Sequence, residues 1–131
     1  MRLKKLSPIL WTKDLNATVS FYTTVLGFTA KSNFPNFATL TRDGVEIMFI
    51  VPEDEPGDCK DTADYDFFPR PILTGSIYIT MDEVDRLWES VKDRATIKTS
   101  LADRDYMMRD FSILDNNGYE LVFGMDVSGS N

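Results

Sequence analysis

An internal repeat constrains the fold of this chain more than any other feature. Residues 43–49 (DGVEIMF) and 117–123 (NGYELVF) match almost position by position. Upstream of each, residues 6–22 and 75–91 share the same order of an apolar strand-like run followed by a helix-like run. Because chance rarely repeats an ordered set of elements, the sequence predicts two similar modules built by duplication.

The first module is predicted to be β-α-β-β-β. An apolar run over residues 6–12 predicts a strand, and Asp14 is then a suitable N-cap for a helix that Gly27 ends. The helix carries apolar side chains at helical spacing. The remaining strands are predicted over residues 28–33, 37–42 and 45–51, with Asp43-Gly44 as the turn of the last hairpin.

The second module is predicted to have the same order of elements. A strand over residues 75–80 leads to a helix with Asp82 as its N-cap. The apolar stripe of that helix includes Trp88. Three further strands are predicted over residues 97–101, 108–114 and 119–124, with Asn117-Gly118 closing the last hairpin.

The two modules fit in one domain of 131 residues. We expect module one over residues 1–51, an acidic linker loop over residues 52–74, and module two over residues 75–124. Long loops of this kind are often functional, and its acids, such as Asp58 and Asp61, could steer a charged ligand. The fold class expected from this order of elements is α+β.

Composition excludes several functions. The 14 Lys and Arg against 21 Asp and Glu give a net charge of −7, which argues against a nucleic-acid partner. There is no histidine, which removes His-based catalysis and most transition-metal sites. The single Cys59 excludes an intramolecular disulfide framework. Without an 18-residue apolar run or a recognisable leader, we expect a soluble, cytoplasmic protein with no membrane partner.

The segments KDLNATVSFYTTVLGF and RDFSILDNNGYELVFG, in this order, resemble the vicinal oxygen chelate superfamily. That group includes the glyoxalases, extradiol dioxygenases, fosfomycin-resistance enzymes and bleomycin-resistance proteins. The resemblance covers nearly the whole chain apart from residues 52–74. It implies a curved mixed sheet around a cleft, the glyoxalase/bleomycin-resistance-like fold, and a homodimer in which two chains complete two clefts.

Metal-dependent members of this superfamily take two ligands from each module, usually His near the start of the first strand and Glu in the last. Here the matching positions hold Ser7 and Met48 in module one, and Ser76 and Val122 in module two. Hydroxyl, thioether and aliphatic groups are poor ligands for Zn, Mn or Fe. We therefore expect no metal and no other cofactor.

Strand alternation places several large side chains in the expected cleft together with the four former ligand positions. Aromatic and Met side chains with a few polar groups are typical of small-molecule pockets. Of the superfamily, the bleomycin-resistance proteins look most similar, since they also close with an Arg-x-Phe strand like residues 109–111. The predicted ligand-binding residues are Trp11, Phe34, Phe37, Met48, Tyr78, Met107, Arg109 and Phe111.

The sequence thus favours a metal-independent binding protein of the bleomycin-resistance type, which sequesters a planar compound that can carry positive charge. Conferring antibiotic resistance is the role that the resemblance implies. The alternative is an isomerase or lyase on the same fold, in which Glu46 or Glu120 acts as a carboxylate base. Solvated or ion-paired glutamates would argue for the first reading, and a buried glutamate with a raised pKa would argue for the second.

Overall fold

A computed structural model describes residues 1–32, 34–52 and 73–129. The chain divides after residue 72 into two compact units, described in turn below. The acidic linker loop predicted over residues 52–74, with Asp58 and Asp61, lies outside the described residues except for residues 52, 73 and 74, and so does Cys59. No helix in the described ranges is long and apolar enough to span a membrane.

The first unit is a four-stranded mixed sheet with one helix. Its strand order is β1-β4-β3-β2, in which β1 runs parallel to β4 and the other pairs are antiparallel. A parallel neighbour for the first strand requires a crossover connection, which the helix supplies. The elements are β1 (Ile9–Trp11), α1 (Leu15–Thr24), β2 (Thr29–Lys31), β3 (Phe37–Arg42) and β4 (Val45–Ile50).

Both ends of α1 are set by the residues that the sequence indicates. The Asp14 carboxylate accepts a hydrogen bond from the backbone N–H of Ala17 at 2.9 Å, so Asp14 is the N-cap as predicted. At the other end Gly27 has φ +73°, a left-handed conformation that favours glycine. The Arg42 guanidinium donates to the carbonyl of Leu26 at 2.6 Å and satisfies one of the acceptors that the helix end leaves open.

The core of this unit lies between α1 and one face of the sheet, called here the helix face. Tyr22 is fully buried there and contacts the rings of Phe28 and Phe49 at centroid distances of 5.5 and 5.2 Å. The other side of the sheet is called the open face. Fully or almost fully buried apolar residues of this unit are Leu10, Tyr22, Leu26, Phe28, Ala38, Leu40, Ile47 and Phe49.

The second unit repeats this architecture. Its strand order, β5-β8-β7-β6, corresponds element by element to that of the first unit, again with one parallel pair. The duplication and the α+β class predicted from the sequence are therefore confirmed. The elements are β5 (Ile77–Thr80), α2 (Val84–Val91), β6 (Thr96–Asp103), β7 (Met108–Leu114) and β8 (Glu120–Asp126).

The start of α2 differs from the prediction. The N-cap is Glu83, not Asp82, and its side chain makes no capping hydrogen bond. Glu83 has φ 50°, so the chain enters this helix through a left-handed residue, while the Glu83 carboxylate accepts a bond from Arg86 at 2.9 Å. Without a side-chain cap, α2 is stabilised by packing of its apolar side, where Val84 and Val91 are fully buried.

Candidate ligand-binding faces

The open face of the first sheet is apolar across three strands. Cross-strand pairing aligns Trp11 with Ile50 and Ile50 with Phe37, so their side chains form one row on the open face. The next row aligns Ile9 with Met48. Ile9 is 54% exposed, and the other four side chains are only half-buried. This face therefore presents a half-exposed aromatic and aliphatic surface rather than a filled core.

Glu46 lies one row further along the same face, and both of its carboxylate oxygens accept hydrogen bonds. One carboxylate oxygen accepts from Ser7 Oγ at 2.7 Å, and the other from Lys5 Nζ at 3.0 Å. These hydrogen bonds lower the pKa of Glu46, and burial opposes them only partly. Glu120, its counterpart in the second unit, pairs with Lys98 at 3.2 Å. Each glutamate thus has a basic partner.

The open face of the second sheet is polar instead. Register places Asp110 beside Gly124, and Gly124 beside Thr80, at the positions that Phe37, Ile50 and Trp11 occupy in the first unit. Tyr78 is on the same face, and its hydroxyl donates to Asp110 Oδ2 at 2.9 Å. The row of the second sheet is therefore polar, whereas the equivalent row of the first sheet is apolar.

Asp110 is the centre of a hydrogen-bond network. Its Oδ2 atom also accepts from the Tyr106 hydroxyl at 2.7 Å, and its Oδ1 atom accepts from Arg104 Nε at 2.8 Å. Burial alone would raise the pKa of Asp110, but the bonds from Arg104, Tyr106 and Tyr78 outweigh it and lower the pKa. Burial and the bond to Asp110 together raise the pKa of Tyr78 to about 12. Asp110 is therefore a carboxylate, and Tyr78 a neutral phenol, at neutral pH.

The structure places six of the eight predicted ligand-binding residues on the open faces of the sheets or in turns. Trp11, Phe37 and Met48 are together on the first open face, and Tyr78 is on the second. Two others lie in turns: Phe34 is 66% exposed before β3, and Met107 is 57% exposed before β7. Met107 adopts a positive φ, which is uncommon for residues other than glycine. Asn36, in the corresponding turn of the first unit, does the same.

Two of the predicted residues are on the other side of the second sheet. Phe111 is fully buried on the helix face, where its ring meets Trp88 at 5.1 Å and Phe123 at 5.5 Å. Arg109 bonds to Asp103 at 2.7 Å and to Asp85 of α2 at 3.2 Å. Alternation along β7 explains both placements, since Arg109 and Phe111 are two residues apart. The expectation that they contact a ligand in the cleft does not agree with these positions.

Arg109 instead borders a shallow depression between α2 and β6, with a volume of about 460 Å³. Its lining combines the indole of Trp88 with three carboxylates. Two of these already bond to Arg109 and the third pairs with Lys92. The depression is lined by Asp85, Trp88, Glu89, Leu101, Ala102, Asp103 and Arg109.

The sequence reasoning missed Asp110, Arg104 and Tyr106. A usable signal was present, because period-2 alternation from the apolar Phe111 and Ile113 assigns Asp110 and Ser112 to the open face. The network itself had no such signal, since Arg104 and Tyr106 belong to a turn whose geometry the sequence does not specify.

The residues at the metal-ligand positions of the family do not fit a metal. In the first unit Ser7 donates its hydroxyl hydrogen to Glu46, and the other position is the thioether of Met48. In the second unit the positions hold Ser76 and Val122, and an aliphatic side chain cannot coordinate an ion. Within the described ranges, no group of three or more acids or cysteines is arranged to hold a metal ion.

We expect the purified protein to contain no stoichiometric Zn, Ni, Mn or Fe. Elemental analysis measures the metal content directly, and thermal unfolding with and without a chelator measures any contribution to stability. The melting temperature should be the same in both conditions. A stoichiometric transition metal, or a lower melting temperature with chelator, would show that the alignment of Ser7, Met48, Ser76 and Val122 with the ligand positions is wrong.

The family follows from these observations and from comparison with known proteins. The family model described as the Glyoxalase/Bleomycin resistance protein/Dioxygenase superfamily matches residues 5–123. The chain therefore belongs to this superfamily, as its duplicated β-α-β-β-β architecture indicates. No curated protein matches the sequence.

Several solved structures have the same fold. A glyoxalase/bleomycin resistance protein/dioxygenase from Nocardioides is 21% identical with a TM-score of 0.67, over 100% of this chain and 88% of that one. TioX from Micromonospora sp. ML1 is 19% identical with a TM-score of 0.72, over 94% and 98%. A third, from Alicyclobacillus acidocaldarius, is 20% identical with a TM-score of 0.68, over 96% and 95%. At these identities the likeness establishes the fold alone.

Proposed function

We infer that this protein binds a planar small molecule that can carry positive charge, and that it holds the molecule rather than transforming it, in the manner of bleomycin-resistance proteins. The observation that supports this function best is the half-exposed row of Trp11, Ile50 and Phe37 on the first open face. A flat apolar ligand would cover this row and remove its surface from water.

The energetics of such a contact are favourable. Burying apolar surface contributes roughly 25 cal/mol per Å², and a tryptophan presents one of the largest apolar areas of any side chain. The rows are held by β1, β3 and β4, so the side chains start from a fixed backbone and binding loses little conformational freedom. The protein's net charge of −7 adds a long-range attraction for a cationic ligand.

Trp11→Ala should weaken binding of the ligand by about 1–3 kcal/mol, the scale for losing an aromatic platform together with its buried area. Isothermal titration calorimetry with bleomycin and a panel of planar cations would measure the affinities. Trp88→Ala is the matched control, because Trp88 contacts Phe111 on the helix face of the second sheet. It should lower stability and leave affinity unchanged.

Two results would contradict the proposal. The first is the absence of binding across the panel combined with turnover of a small electrophile, which would indicate an enzyme. The second is a Trp11→Ala variant that binds normally but is less stable, which would show that Trp11 belongs to the core.

The carboxylate-based isomerase or lyase receives less support. A general base needs a pKa near the working pH, whereas the pKa of Glu46 is lowered by the bonds from Ser7 and Lys5. The pairing of Glu120 with Lys98 gives that side chain a structural role on the strand.

A two-fold homodimer remains part of the proposal. The outer strands of each sheet, β1 and β2 in the first and β5 and β6 in the second, have one unpaired edge within the described part of the chain. Such edges are commonly covered in native proteins. We expect light scattering at micromolar concentration to give twice the chain mass of 14.9 kDa. A particle of the single-chain mass would count against the dimer.

A further inference from the structure

Tyr78 lies flat across the second sheet because residue 124 is glycine. A Cβ atom at position 124 would be 2.7 Å from Tyr78 Cζ and 2.9 Å from Cε1, and closer still to the hydroxyl oxygen. Non-bonded contacts of a Cβ atom this short are essentially never seen, so any larger residue would displace the ring. In the first unit the position of Gly124 is held by Ile50, and the position of Tyr78 by Ile9.

The hydroxyl group of Tyr78 is held by the Asp110 carboxylate, which other side chains hold in place in turn. Asp110 is 2% exposed, and its Oδ2 atom accepts from both Tyr78 and Tyr106. Arg104 holds the same carboxylate through Nε, and its Nη2 atom donates to the carbonyls of Ser100 and Asp110 at 2.8 and 3.0 Å. Arg104 thereby neutralises the charge of Asp110 and attaches it to the backbone.

The two tyrosine rings nevertheless remain accessible. Tyr78 is 42% exposed and Tyr106 is 61% exposed. An exposed ring with an anchored polar end is preorganised, because most of the entropy of fixing it is lost on folding rather than on binding.

The direction of the hydrogen bonds determines which ligand suits these rings. Both hydroxyl hydrogens point to Asp110, so a ligand meets ring faces and oxygen lone pairs but no hydroxyl donor. A phenol that donates to a carboxylate also gains electron density in its ring, which strengthens the attraction of the ring face for a cation.

We propose that Tyr78 and Tyr106 form a subsite for an alkylated ammonium group, with Asp110 and Gly124 as positioning residues. The subsite lies within the second unit and rests on the proposed small-molecule binding function, to which it adds the kind of charged group that the protein would bind.

The experiment uses choline chloride as the probe and its neutral carbon isostere, dimethylbutanol, as the comparison. Titrations followed by NMR at the tyrosine ring resonances should show choline binding at millimolar concentration. The isostere should bind more weakly, by roughly two- to fivefold for each ring that contributes a cation–π contact. Equal binding of both compounds, or no choline-dependent shift of these rings, would overturn the proposal.

Variants separate positioning from direct contact. Tyr78→Phe keeps the ring but loses its anchor, and Gly124→Ala displaces the ring, so both should weaken choline binding by about two- to fivefold. Asp110→Asn should do the same, whereas Asp103→Asn is the matched control, since Asp103 accepts from Arg109 on the helix side. If Tyr78→Phe and Asp110→Asn are folded and bind choline normally, the anchoring of the Tyr78 ring by Asp110 plays no part in binding and the proposal is wrong.

Failure of this subsite is distinguishable from failure of the proposed function. Should planar compounds bind in a Trp11-dependent manner while choline does not bind, the function stands and the ammonium subsite is wrong. Should choline bind as expected while no planar compound binds, the planar ligand is wrong and the subsite stands.

Discussion

Phe111→Ala is expected to lower the free energy of unfolding by about 3–5 kcal/mol, the range for removing a fully buried aromatic side chain. Phe111 has no exposed surface and lies between the rings of Trp88 and Phe123. Its removal leaves a cavity that β-strand neighbours cannot fill, because they are held in register on both sides. Chemical denaturation followed by circular dichroism measures the change.

Phe34→Ala is the matched control, since the same atoms are removed from a ring that is 66% exposed. It should leave the free energy of unfolding almost unchanged. If the Phe111→Ala variant is as stable as the wild type but binds its ligand less tightly, Phe111 contacts the ligand, as the sequence predicted.

Asp110→Ala should lower the free energy of unfolding by about 3 kcal/mol, near the lower end for breaking a buried ion pair, because Arg104 keeps some contact with solvent. The substitution leaves Arg104 Nε and the hydroxyls of Tyr78 and Tyr106 without the carboxylate that accepts from them. Asp103→Ala is the control, since that carboxylate also bonds to an arginine but its side chain is 59% exposed. It should change stability much less.

The contribution of Asp110 should also depend on pH in a defined direction. Its pKa is lower in the folded protein than in the unfolded chain, so the folded state holds the proton less tightly. The stability it provides is therefore complete above the ordinary aspartate pKa and is lost as the pH falls through the lowered folded value. The difference in unfolding free energy between wild type and Asp110→Asn should be constant near neutral pH and should shrink in acid. A constant difference throughout acid would contradict this assignment.

The fold could be predicted from the sequence because two independent signals agreed. The apolar periodicity gave the type of each element, and the repeat gave their order; β3 and β7 were predicted with the bounds that the structure has. Errors fell where local chemistry is ambiguous. Asp82 and Glu83 are both acids ahead of a helix, and the left-handed backbone that selects Glu83 is not encoded in a side-chain pattern.

The candidate site was predictable only in part, for a physical reason. Alternation assigned the faces of β1, β4, β5 and β8, which pair in simple register. It was not applied to residues 106–111, where Arg109 and Phe111 were grouped with neighbours on the opposite face. The hydroxyl contacts of Tyr78 and Tyr106 with Asp110 depend on the turn before β7 and on Gly124. Contacts of this kind leave no periodic pattern in the sequence.

Because the two sheets have matching registers, residues at equivalent positions can be compared separately on the helix faces, which form the core, and on the open faces. On the helix faces both units carry the same type of apolar residue at equivalent positions, as Phe49 and Phe123 illustrate. On the open faces the equivalent row reads Trp, Ile, Phe in one unit and Thr, Gly, Asp in the other. A duplicated scaffold of this kind can therefore acquire new specificity by exchanging a single transverse row, while the apolar core on its helix face stays unchanged. In this chain one copy has become a hydrophobic surface and the other a polar one.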